Sequence, residues 1–107
     1  MSTNTYREIA PEDAYRARDK ARLIDVREAA ELASDGSIPG VVNVPLATVE
    51  AQARMWDKDD ELVVICRSGA RSTRAATALA AMGFRRVMNM TGGMLAYLAA
   101  GLPVARS

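Results

Sequence analysis

One cysteine, Cys66, stands in a chain of 107 residues that contains no histidine. Together these two facts narrow the chemistry. Without an imidazole neither a Cys-His nor a Ser-His-Asp hydrolase can be assembled, because the general base is missing. A single thiol also excludes an ordinary structural zinc site, which needs four N or S ligands. Thiol, carboxylate, hydroxyl and guanidinium remain, and Cys66-Arg67-Ser68-Gly69-Ala70-Arg71-Ser72 gathers three of these types.

That stretch begins where Leu62-Val63-Val64-Ile65 reads as a buried strand, and it leads into a run of helix formers. In open α/β sheets, ligands collect at the carboxyl ends of strands. Small residues and a glycine let the backbone curl, so that several N–H groups face one centre while the helix start adds its partial positive charge. Such a loop is a cradle for an anion. A thiolate held there between arginines is expected to have its pKa lowered from about 8.5 towards the ~3.5–7.5 range, and so to be a nucleophile without a histidine. The competing reading is a core cysteine that closes an apolar strand. Position alone does not separate the two; the small-residue loop, the two arginines and the following helix favour a functional role.

The rest of the chain supplies elements to position this loop. Leu23-Ile24-Asp25-Val26, Val41-Val42-Asn43-Val44, Leu62 to Ile65 and Val87-Met88-Asn89-Met90 are short apolar runs, each followed by helix formers, with a weaker fifth strand at Tyr6 to Ile9. Apolar runs alternating with helices imply a parallel sheet covered on both faces. Pro11 with Glu12 and Asp13 predicts a helix start that runs to Arg18. Leu46, Val49, Ala53 and Trp56 form a helical stripe after Pro45. Ser72 is the expected cap of a helix that turns Ala75, Ala76, Leu79 and Met82 to the sheet and stops at Gly83. A last helix follows Gly92-Gly93 and ends at Gly101. Asp57-Lys58-Asp59-Asp60 reads as a solvated turn, since its spacing fits no calcium loop.

The totals agree with one globular domain spanning residues 1–107: the chain is 50% hydrophobic and 25% charged. A formal net charge of +1 gives no global field for nucleic acid or an anionic membrane, so neither is expected as a partner. A lone cysteine and the lack of an apolar leader or membrane-length run lead to the expectation of a reducing, cytoplasmic setting.

The Cys66–Ser72 stretch resembles the active-site loop of the rhodanese-like sulfurtransferase family. Other stretches agree in order and spacing. Leu23-Ile24-Asp25-Val26-Arg27-Glu28 is similar to the family's first signature, Gly36-Ser37-Ile38-Pro39-Gly40-Val41-Val42-Asn43-Val44-Pro45 to its second, and Gly92-Gly93 through Gly101-Leu102-Pro103-Val104 to its closing helix. Each is weak alone, but four in sequence are a strong signal.

The resemblance implies a doubly wound α/β domain with a mostly parallel five-stranded sheet and helices on both faces. It implies no cofactor and no metal. Cys66 matches the nucleophile that takes a sulfane sulfur from a donor such as thiosulfate and passes it to cyanide, a thiol or a protein. The backbone amides of Arg67, Ser68, Gly69, Ala70, Arg71 and Ser72 match the cradle for the outer sulfur, and the side chains of Arg67 and Arg71 are expected to attract an anionic donor. Asp25, Arg27 and Glu28 are expected to support the loop through hydrogen bonds rather than to act on substrate. Tyr97, Met94 and Leu98 are expected to leave an apolar patch beside the site for a partner. Two positions depart from the pattern, Ser37 for the usual histidine and Tyr97 for the usual tryptophan, with altered loop packing as the expected result. The same fold hosts silent binding or sulfur-carrier modules, and a cysteine phosphatase or arsenate reductase is a more distant alternative. A phosphatase cradle has five residues between cysteine and arginine, against four between Cys66 and Arg71.

Overall fold

The computed structural model describes residues 5–106. Five strands, β1 (Tyr6–Ile9), β2 (Arg22–Asp25), β3 (Val42–Asn43), β4 (Glu61–Ile65) and β5 (Arg86–Met90), form one sheet in the order β1-β5-β4-β2-β3. Every pairing is parallel. The helices are α1 (Pro11–Arg16), α2 (Ala29–Asp35), α3 (Val49–Ala53), α4 (Ala70–Ala81) and α5 (Gly93–Ala99). This is the expected α/β architecture, with the sheet entirely rather than mostly parallel.

Alternation along the central strand explains how both faces are covered. Leu62 and Val64 join Val49, Ala53, Ala75, Ala76 and Leu79 in one buried cluster, which places α3 and α4 on that face. Val63 and Ile65 join Ala14, Met94 and Tyr97 in the other, with α1 and α5. Cys66 continues the first set, so the strand's own period of two turns the thiol towards α4.

Several boundaries differ from the expected ones. The helix expected to reach Arg18 ends at Arg16 and continues as a 3-10 turn, Ala17–Asp19. The segment after Pro45 also starts as a 3-10 turn, Leu46–Thr48, so only Val49 and Ala53 of its stripe are fully buried. Strand β3 keeps two residues of the expected four because it pairs only at the sheet's edge.

The topology creates the site. From β2 the chain goes outward to β3, whereas from the adjacent β4 it goes the other way to β5. The loops that leave these two neighbours therefore diverge at their carboxyl ends, which opens a crevice at a topological switch point. Asp25 lies in register beside Ile65 there, one residue before Cys66.

Candidate active site

Helix α4 begins at Ala70 rather than after Ser72, and its N-cap is Gly69, with φ at 116°. A side chain at Gly69 would be strained by that backbone, which is why the loop needs glycine there. The earlier start corrects the role expected of Ser72. It lies inside the first turn, fully buried, and its hydroxyl donates to the Gly69 carbonyl at 3.1 Å.

The sulfur sits within this turn. The Gly69 N–H donates to Cys66 Sγ at 2.9 Å. In the thiol form the S–H donates to Ser72 Oγ at 3.3 Å. Burial pushes the thiol pKa up, but the Ser72 hydroxyl and the N–H groups of Ser72, Gly69 and Ser68 outweigh it, and the net shift is downward. Of the amides expected in the cradle, that of Gly69 hydrogen-bonds the sulfur, and those of Ser68 and Ser72 help to lower its pKa. Cys66 is closed to solvent, with the residue only 1% exposed. The turn that supplies the amides also covers the thiol.

Arg71 is also placed differently from the expectation. Its Nη1 and Nη2 meet Glu31 Oε1 and Oε2 at 2.6 and 2.8 Å, so the guanidinium is engaged with helix α2 instead of standing free for an anionic donor. The pair holds the Glu31 carboxyl down at about 2 and pushes Arg71 further up. Glu31 went unassigned in the sequence. Its signal was the Glu28-x-x-Glu31 spacing of a capping box, and Glu31 Oε1 does accept the Glu28 N–H at 3.1 Å. Glu28 itself is exposed and contributes this backbone contact rather than a side chain to the thiol.

Asp25 and Arg27 are both fully buried and joined at 2.8 Å. Arg27 also donates through Nη2 to the Gly36 carbonyl at 2.9 Å, which ties the β2 loop to the segment after α2. Asn43 clamps the same loop by donating to the carbonyls of Asp25 and Arg27 at 3.0 and 2.9 Å. Asp25 and Arg27 thus hold loops together, and among the described residues neither hydrogen-bonds Cys66.

Helix α5 closes the other side. The N–H groups of Met94 and Leu95 donate to the carbonyls of Cys66 and Arg67 at 2.8 and 3.0 Å. Gly93 makes this possible: a Cβ there would lie 2.4 Å from the Arg67 oxygen. Tyr97 donates its hydroxyl to the Pro103 carbonyl, and Ser37 pairs through its backbone with Ala105, so the two departures from the family pattern meet on one C-terminal strap. Met94 and Tyr97 are buried and form no surface patch; the large exposed apolar residues of this helix are Leu95 and Leu98.

Fold and site together define an α/β domain with a cysteine in an amide-lined turn at the carboxyl edge of a parallel sheet. Residues 10–100 match the family described as the rhodanese-like domain, and the chain belongs to that family. It is 39% identical over 82 residues to a sulfurtransferase of Allochromatium vinosum, covering 77% of this chain and 76% of that one. A putative sulfur carrier protein of Bacillus subtilis, YrkF, is 41% identical over 76 residues, 71% of this chain but 40% of that longer one. The crystal structure of a rhodanese-related protein from Thermoplasma volcanium superimposes with a TM-score of 0.86 at 30% identity, covering 95% of this chain and all of that one. No helix among the described residues is long and apolar enough to cross a membrane.

Proposed function

We propose that the protein is a sulfurtransferase that stores a sulfane sulfur on Cys66 and passes it to a nucleophilic acceptor. The observation that carries this reading is the Gly69 N–H at 2.9 Å from Cys66 Sγ, joined by the Ser68 and Ser72 amides. Donors that converge on Sγ stabilise its thiolate, both as the attacking nucleophile and as the leaving group when the stored sulfur is passed on. With thiosulfate as donor, the thiolate attacks the outer sulfur, an S–S bond forms, the donor's S–S bond breaks, and sulfite leaves with the electron pair. Because sulfite is already a stable anion, no proton need be delivered to it, which makes the missing histidine harmless.

Arg67, on the exposed start of the loop, is the guanidinium left to draw an anion in, since Arg71 is held by Glu31. That pairing also argues against phosphatase chemistry, which needs its arginine over the cradle. A sulfur-carrier role without turnover is the second reading, favoured by the cover over Cys66 and by the similarity to YrkF.

Purified protein treated with thiosulfate should gain the mass of one sulfur atom on Cys66 and release it to cyanide as thiocyanate, whereas Cys66→Ala should do neither. A wild-type thiol left unmodified by thiosulfate and by organic persulfides would overturn the proposal. A persulfide that forms but is not discharged to cyanide would favour the carrier reading.

A further inference from the structure

Arg27 is 0% exposed, yet its Nη1 has no hydrogen-bond partner among the described residues. Its Nε and Nη2 are taken by Asp25 and by the Gly36 carbonyl. Such an orphan donor calls for an acceptor. Arg27 also forms part of the wall of a cavity of about 280 Å³, together with Arg67, Arg106, Met94, Leu95 and Leu98. The cavity adjoins the reactive loop, since Arg67 follows Cys66 and the Met94 N–H is bonded to the Cys66 carbonyl.

We infer that this cavity is a subsite for the carboxylate of a small organic thiol that accepts sulfur from Cys66. The inference rests on the proposed sulfur transfer and adds the acceptor's class to it. Charge supports it: Asp25 balances Arg27, and Asp35, the one acid on the wall, balances one of the two remaining arginines, leaving one positive charge. Size supports an organic ligand, because at ~30 Å³ per water the space holds roughly nine water-sized groups, more than a bare oxyanion fills. Shape supports it too, since the exposed Leu95 and Leu98 offer an apolar wall to a hydrocarbon stem between carboxylate and sulfur. In the step itself the acceptor thiolate attacks the outer sulfur of the persulfide, a new S–S bond forms, the bond to Cys66 Sγ breaks, and Cys66 leaves as the thiolate that the turn is built to hold.

The test compares 3-mercaptopropionate with 3-mercaptopropionamide as acceptors in single-turnover discharge of the preformed Cys66 persulfide, each rate divided by its thiolate fraction. The carboxylate thiol should be faster by about tenfold, the size of one partly screened charge-assisted contact. In Arg106→Gln and in Arg67→Gln that ratio should fall towards one. Equal rates for the two thiols in the wild type would overturn the inference while leaving sulfur transfer intact. Should no persulfide form, the wild-type protein is titrated with 3-(methylthio)propionate, which cannot react. Saturable NMR shifts at the Leu95 and Leu98 methyls and the Arg67 amide, absent with the matching amide, support the subsite; no shifts overturn it.

Discussion

Arg71 and Glu31, 40 residues apart, meet through two parallel N–H to oxygen bonds of 2.6 and 2.8 Å. The pair fixes helix α4, which carries the cysteine turn at its start, against helix α2, which follows the neighbouring strand. It spans the crevice that the strand order opens, and so sets how far the two loops stand apart.

Glu31→Gln should therefore lower stability at neutral pH by about 1 kcal/mol, the upper range for a well-formed, partly exposed pair. The Glu31 carboxyl is held at about 2 against an ordinary 4.5. A depressed carboxylate contributes fully above its unfolded pKa, progressively less as pH falls from 4.5 towards 2, and nothing below. Urea midpoints measured across that window should fall for the wild type, and the difference between the proteins should shrink with them. A difference that stays constant down to pH 2 would mean that the pair contributes nothing through ionisation.

The Ser72 hydroxyl, 3.3 Å from Cys66 Sγ, is the largest favourable influence on the thiolate. On ionisation it must turn from the Gly69 carbonyl to donate to the sulfur. Ser72→Ala should raise the Cys66 pKa, seen as a shift to higher pH in the rate profile of iodoacetamide alkylation. Wild-type alkylation should show an inflection below that of an ordinary thiol but a low plateau rate, because the residue is 1% exposed. An inflection unmoved by the substitution would remove Ser72 from the account.

Gly93 combines a φ of 60° with Cβ-to-backbone distances of 2.4 and 2.6 Å to Arg67 and 2.6 Å to the Cys66 carbonyl. Gly93→Ala cannot be relieved by a side-chain rotation, because the atoms in the way are main chain. It should cost about 2 kcal/mol or more and push the reactive loop off α5, so calorimetry should show a lower Tm and persulfide formation should slow.

Tyr97→Phe removes the hydroxyl that holds Pro103 and should cost about 1 kcal/mol. The loss should concentrate on the strap. Hydrogen exchange at the amides of Ser37 and Ala105, which bond to each other's carbonyls at 2.9 and 2.8 Å, should accelerate while the amides of β4 keep their protection.

Much of the fold was legible because parallel strands buried on both faces must be almost wholly apolar, as Leu62 to Ile65 are and as Leu23 to Val26 are but for Asp25. The cysteine turn was legible for a local reason, since glycine, small residues and a helix start within seven positions decide where amides point. Ser72 is not the expected cap because Gly69, three positions earlier, takes the left-handed conformation that lets α4 begin sooner. Helix α2 offered only the Glu28-x-x-Glu31 spacing. That spacing marks a helix start without telling which distant arginine the second glutamate will meet.

By itself the sequence determined the chemistry available and its place: one thiol, no imidazole, a loop of small residues after a buried strand. These are properties of residue type and of neighbours along the chain. Tertiary structure alone decided which charges neutralise one another. The strand order brings the ends of β2 and β4 together, pairing Arg71 with Glu31 and leaving Arg27 buried on Asp25 with one nitrogen unmet. It also decided that the thiol is covered, since exposure depends on what α4 and α5 lay over the turn, and no local signal records that.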